Sequence, residues 1–180
     1  GLDHKCPYCR EPNPKTKEEI DQNLMKRVKA DDPNALCFVA TERHSEGNYA
    51  VAFEYFTRAA ELGDAIAHFN LSVLYRRGDG VLKDEKKELY HLEEAAIGGH
   101  PNARVYLGNH EARNGRFDRA TTHHIIAAKL GYGTMMHLEG LKKRVQMGFL
   151  SKEEFEAALR GHQAAVDATK SEQREEAKKN

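Results

Sequence analysis

Thiols and imidazoles are the side chains of this 180-residue sequence most able to do chemistry. Cys6 and Cys9 stand in the run Cys6-Pro7-Tyr8-Cys9, followed by Arg10-Glu11-Pro12 and two further turn-formers, Asn13 and Pro14. A C-x-x-C pair at a tight turn can place two thiolates on one tetrahedral Zn²⁺. Two ligands leave such a site half built. His4 is too close in sequence to complete it, and Cys37 falls in a predicted helix. The alternative is a pair that carries no metal. Among ten histidines, His123 and His124 are adjacent. Neighbours on a helix point about 100° apart, so this pair does not converge on one ion. His124 instead reads as a half-buried packing residue whose burial would lower its pKa. No H-E-x-x-H spacing occurs, and no Ser, Thr or Cys nucleophile has a base placed by a recognisable pattern. Gly78-Asp79-Gly80-Val81 lacks the G-K-[ST] ending of a phosphate loop.

A third group suggests binding rather than catalysis. On one predicted helix Phe69, Val73, Arg76 and Arg77 share a side, at i, i+4, i+7 and i+8. The corresponding positions of a later helix hold Val105, Asn109 and Arg113, with Asn102 leading in. Apolar, amide and guanidinium groups in that mixture suit an extended or helical peptide with acidic residues. Read more plainly, the same residues are a solvated arginine face plus ordinary packing between helices.

The elements that must position these residues repeat. Ala59-Ala60-Glu61-Leu62-Gly63 returns as Ala95-Ala96-Ile97-Gly98-Gly99 and as Ala127-Ala128-Lys129-Leu130-Gly131, and Ala164-Ala165 begins it again. The spacings are 36 (59 to 95), 32 (95 to 127) and 37 (127 to 164). A period of roughly 30–40 residues means stacked units that shelter their apolar faces against one another. Each unit reads helix A, turn, helix B, turn. Ala35, Ala67 and Ala103 open helix A; Val39, Leu71 and Leu107 follow; then come the small residues Ala40, Ser72 and Gly108, where another helix must approach. Helix B carries Ala52, Ala120 and Ala157 ahead of the alanine pair. Upstream, Thr16 and Glu19 form a capping box for a helix whose stripe is Ile20, Leu24 and Val28. A second capping box pairs Ser151 with Glu154.

The expected fold is all-α: an α-solenoid of four antiparallel helix pairs in a right-handed superhelix behind a capping helix. The expected boundaries are 1–13 for the cysteine segment, 14–33 for the capping helix, and 34–64, 65–99, 100–132 and 133–166 for the units. A polar tail, fraying or disordered, would occupy 167–180. Lys+Arg and Asp+Glu are both 28, so no net charge steers the chain to nucleic acid or to an anionic membrane. The sequence holds no apolar run of about 18–20 residues for a membrane span. Three cysteines suit a reducing, cytoplasmic compartment. Gly1 at the start suggests a fragment or a processed chain.

Two resemblances add to this. Leu71-Ser72-Val73-Leu74-Tyr75, Gly78-x-Gly80-Val81, Asp84, Lys87 and Ala95-Ala96-x-x-Gly99 together resemble the Sel-1-like repeat, a relative of the tetratricopeptide repeat with a longer hairpin turn. The resemblance spans about 34–166 and departs at Glu88, where the family usually has alanine. It implies a protein–protein interaction scaffold with helix A lining a concave groove. Cys6-Pro7-Tyr8-Cys9-Arg10-Glu11-Pro12 resembles the closing pair of a RING finger, as found in algal RING-plus-repeat proteins. That resemblance implies zinc on Cys6 and Cys9, Pro7 touching a ubiquitin-conjugating enzyme, and Arg10 gripping enzyme and ubiquitin. The repeats would then be the recruiting arm of a RING-type ubiquitin ligase, with no cofactor in 14–180. A metal-binding protein or enzyme built on the Cys and His side chains, and a purely structural spacer, are the competing readings.

Overall fold

The structure is a computed structural model that describes residues 16–132 and 135–177. The RING-like segment, with Cys6, Pro7, Cys9 and Arg10, lies outside the described residues. Among the described residues every element is a helix: α1 (Lys17–Lys29), α2 (Pro33–Ser45), α3 (Tyr49–Glu61), α4 (Ala65–Arg77), α5 (Glu85–Ile97), α6 (Pro101–Arg113), α7 (Phe117–Lys129), α8 (Met135–Gln146) and α9 (Lys152–Ala177). The closest packing is within α2–α3, α4–α5 and α6–α7; these three pairs meet one another through a helix B and the following helix A, whereas α7 meets the last pair chiefly through α9. The result is an α-solenoid.

Local chemistry sets the helix ends. The Glu19 amide donates to Thr16 Oγ1 at 3.2 Å, and Ser151 and Glu154 cap each other reciprocally at 3.1 Å. Asp32 and Asp64 cap α2 and α4 by accepting backbone N–H bonds. Helix A stops just before Gly47, Gly78, Gly115 and Gly148, all at positive φ. Gly80 has a second constraint: a Cβ there would meet the Tyr49 backbone at 2.8 Å, so the long turn between α4 and α5 is moulded onto the start of α3.

The recurring alanines form the seams of the stack. Ala59 and Ala95 are 0% exposed and Ala127 is 1% exposed, beside the buried Phe56, Leu71, Leu74 and Leu92. Small residues there let helix axes approach closely while the larger side chains fill the space between.

Several expectations need correction. Ile20 is exposed, whereas Leu24 and Val28 pack on the core, because α1 meets the array mainly through its C-terminal end, where Arg58 of α3 binds Asp31. In the fourth unit the small residue that is buried is Ala158, not Ala157, and Ala164 is exposed. With no glycine stop after Ala164-Ala165, α9 runs on across the expected boundary at 166 into the polar tail, as far as Ala177. It packs along α7 more closely than along α8.

Candidate functional site

The residues singled out on helix A fall into three environments. Arg77, Asn109 and Arg113 are exposed, and Val73, Arg76 and Asn102 are half-buried. Val105 is not part of an open surface: it is buried at 6% exposure. Phe69 is half-buried and packs on the cluster of Leu92, Ala95, Ala96, Ala103 and Leu107, so it joins two units as well as facing outward.

What the structure adds is an aromatic shelf across the junction of α4 and α6. The Phe69 ring stacks on His100, with centroids 4.3 Å apart and planes at 15°, and lies 5.7 Å from Tyr106. Tyr106 in turn carries the Arg76 guanidinium, 4.4 Å from its ring centroid. Over an aromatic face a guanidinium loses little hydration, and its edge stays available to a carboxylate. Among the described residues Arg76, Arg77 and Arg113 form no ion pair. Glu88 of α5 is a carboxylate that feels the charges of Arg76 and Arg113. Burial raises its pKa, against the opposing pull of Arg76 and Arg113. His100 and Tyr106 were missed by sequence reasoning. Tyr106 shares its helix-A register with Phe38 and Asn70, and only the stacking of one unit on the next brings it beneath Arg76.

Several of the imidazoles and the remaining thiol are held by their neighbours in the fold. His124 sits over Gly108, where a Cβ would come within 2.6 Å of its ring. Its two nitrogens lie 3.2 Å from Asn109 Oδ1 and 2.9 Å from an Arg144 Nη. It is the packing residue expected, and Gly108 is the close approach that makes room for it. Burial lowers the pKa of His123, with Arg104 adding to the effect. His68 and His91 share one hydrogen bond between Nδ1 atoms 3.0 Å apart, so one ring donates and the other accepts. Tyr75 stacks on His91, and burial pushes the His91 pKa down to about 4. The Cys37 thiol donates to Asp64 Oδ1 at 3.2 Å, and burial next to that carboxylate pushes it up to about 12. A thiol so held stays protonated, which disfavours it as nucleophile or metal ligand. Among the described residues no group of three or more His, Cys, Asp and Glu side chains could hold a metal ion, and no helix is long and apolar enough to cross a membrane.

With the helix pairs and their junctions placed, comparison with known proteins is informative. The Sel1 repeat family matches residues 33–64 and 65–100. Residues 33–100 are thus similar to two consecutive Sel1 repeats. A Sel1 repeat protein from Oxalobacter formigenes superposes with a TM-score of 0.59 at 25% identity, over 69% of this chain and 98% of the other. A protective antigen of uropathogenic Escherichia coli strains, which displays an SLR fold, superposes with a TM-score of 0.61 at 22% identity. That likeness concerns the fold; it covers 92% of this chain, which spans 36% of the antigen. No protein of curated function matches in sequence. The two matched Sel1 repeats are α2–α3 and α4–α5, so the surface built by Arg76 and Phe69 begins in the second repeat and continues onto α6.

Proposed function

We propose that this Sel1-repeat chain is a protein–protein interaction scaffold, and that the helix-A surface of its second and third units takes an acidic segment of a partner. The observation that carries this reading is Arg76, laid on Tyr106 with no carboxylate paired to it and with Arg113 exposed nearby on α6. Phe69, Val73 and Tyr106 offer apolar and aromatic area. Arg76, Arg77 and Arg113 select negative charge, and Asn109 can bond a peptide backbone. Glu88 holds the place of the missing acid until a partner arrives. The test compares proteins retained by the immobilised chain with those retained by an Arg76→Glu, Arg77→Glu, Arg113→Glu variant of unchanged helicity. Loss of a specific retained protein, with salt-sensitive binding in the parent chain, is the expected result. An unaltered set removes this reading.

A finer reading rests on Cys6-Pro7-Tyr8-Cys9-Arg10 alone. In it the repeats are the recruiting arm of a RING-type ubiquitin ligase, Cys6 and Cys9 are zinc ligands, and Pro7 and Arg10 meet a ubiquitin-conjugating enzyme. Zinc content of the chain against a Cys6→Ser, Cys9→Ser variant tests the metal half. Zinc retained equally by both would favour a metal site among the other Cys and His side chains instead.

A further inference from the structure

A cleft of about 230 Å³, lined by residues the arginine–tyrosine surface does not use, opens between α5, α6 and α7. One wall is Arg104, whose Nη donates to the Ala96 carbonyl at 2.9 Å. Its Nε–H is buried with no acceptor, and among the described residues it pairs with no carboxylate. His123 lines the same cleft, and its Nδ1 is buried and unpartnered too. A buried polar atom without a partner is costly, and Arg104 and His123 each bring one to the lining of this cleft. Arg119, at the cleft and largely exposed, reaches Glu111 only at 3.7 Å. The Glu111 carboxylate is already taken by Arg116, whose proximity holds its pKa below the usual carboxylate range. Arg119 holds the other Glu111 oxygen only at that longer distance, and its exposed side chain can turn toward an incoming group. Ala96, Ile97 and Leu107 supply an apolar lining between the charges, and Ile97 is 75% exposed at the rim.

We infer that this cleft binds a carboxylate borne on a short aliphatic arm, with Arg104 Nε–H, Arg119 and the His123 ring as its partners. The arm lies on Ala96, Ile97 and Leu107, and the volume suits one acidic side chain or a small dicarboxylic acid. Glu93 and Glu111 also line the cleft, so a carboxylate held apart from any second charge by its aliphatic arm is favoured over a compact multivalent anion such as phosphate. The site is independent of the helix-A surface. The carboxylate can belong to a partner polypeptide or to a free dicarboxylic acid, and the two are separated by the choice of probe.

The experiment titrates the full chain with N-acetylglutamate α-amide, with glutarate and with inorganic phosphate, followed by calorimetry and by NMR of arginine Nε–H and histidine ring signals. Expected are shifts at Arg104 and His123 with one or both carboxylates, and weaker or no binding of phosphate. Response to the amide alone assigns a polypeptide ligand, and response to glutarate alone assigns a free acid. Arg104→Gln and the exposed Arg119→Ala should each weaken binding about tenfold, the scale of one charge-assisted hydrogen bond. A bound anion beside His123, which also faces Arg104, Glu111, Arg119 and Glu93, should raise its titration midpoint. The variant reversed at Arg76, Arg77 and Arg113 should bind as the parent does. The inference is overturned if neither carboxylate shifts these signals, if phosphate binds best, or if Arg119→Ala binds as tightly as the parent chain.

Discussion

Among the described residues three glycines lie within helices away from any turn, and their surroundings predict different responses to a methyl group. Gly108 of α6 and Gly140 of α8 make the sharpest contrast. An added Cβ at Gly108 would meet His124 Cδ2 and Nε2 at 2.6 Å and the Ala120 carbonyl at 3.1 Å. The imidazole cannot step aside without stretching its contacts to Asn109 and Arg144. Replacing glycine by alanine inside a helix gains about 0.8–1.0 kcal/mol from backbone entropy and propensity. Overpacking a filled site costs about 1–3 kcal/mol, and disturbing the two polar contacts about 1 kcal/mol more. Gly108→Ala should therefore be destabilising by about 1–3 kcal/mol. At Gly140 an added Cβ meets nothing within 4 Å, so only the favourable term remains and Gly140→Ala should stabilise by about 0.8 kcal/mol. For a chain of this size that places the two melting temperatures on opposite sides of the parent, each displaced by about 2–4 °C per kcal/mol. Thermal and urea unfolding followed by circular dichroism measure both. Adding His124→Ala to Gly108→Ala should recover part of the loss, a coupling of at least about 0.5 kcal/mol. Equal effects of the two alanines, or strict additivity of the pair, would refute the claim that Gly108 exists to seat His124. Gly161 of α9 is intermediate, with Lys129 Cγ at 3.0 Å, and should respond little.

Stability should fall with acid through His91. Its folded pKa of about 4 lies below the ordinary 6.5, so the unfolded chain binds the extra proton between those values. Its contribution is full above about pH 6.5 and is lost as pH drops toward 4, by about 2 kcal/mol once discounted for the water reaching the ring. His100 and His123 act in the same direction. His91→Phe should flatten that part of a pH series of urea midpoints; an unchanged slope would remove His91 from the account. Asp64→Ala should cost about 1–2 kcal/mol by uncapping α4, and Asp64→Asn much less, because an amide oxygen can still accept from the Ala67 amide. Cys37 should resist alkylation at pH 8 in the folded chain and react on unfolding, as mapped by peptide mass spectrometry; rapid native labelling would contradict its burial. Glu88→Ala should tighten binding of an acidic peptide to the helix-A surface by removing the internal competitor for Arg76 and Arg113, and weaker binding would show Glu88 to be a positioning residue instead.

Much of the architecture was legible because a solenoid is nearly one-dimensional. Each unit touches only its neighbours, so the pattern that shelters one pair of helices recurs at the next and can be read as a period. The alanine pairs, the glycine stops and both capping boxes are local devices, and residues close in sequence reveal them. The small-residue register at Gly108 was legible too, although its occupant, His124, was recognised only as a packing residue. Reading failed where the period itself gives way. Ile20 shares a stripe with Leu24 and Val28 yet stands in solvent, because the helix before the first unit leans on the array at one end only. The fourth unit keeps an alanine pair without the glycine, and α9 continues past it.

The sequence by itself determined the capping boxes, the glycine stops, the alanine seams of the first three units and the stacking of similar pairs, since propensity, capping and apolar period are properties of short stretches of chain. Only the tertiary structure decided which side chains from different units meet: Arg76 over Tyr106, Phe69 against His100, Arg104 and His123 on one cleft, Val105 withdrawn from the surface it was expected to line. Those meetings depend on the rotation of one unit against the next. Packing of whole helix faces sets that angle, and no local run of residues encodes it.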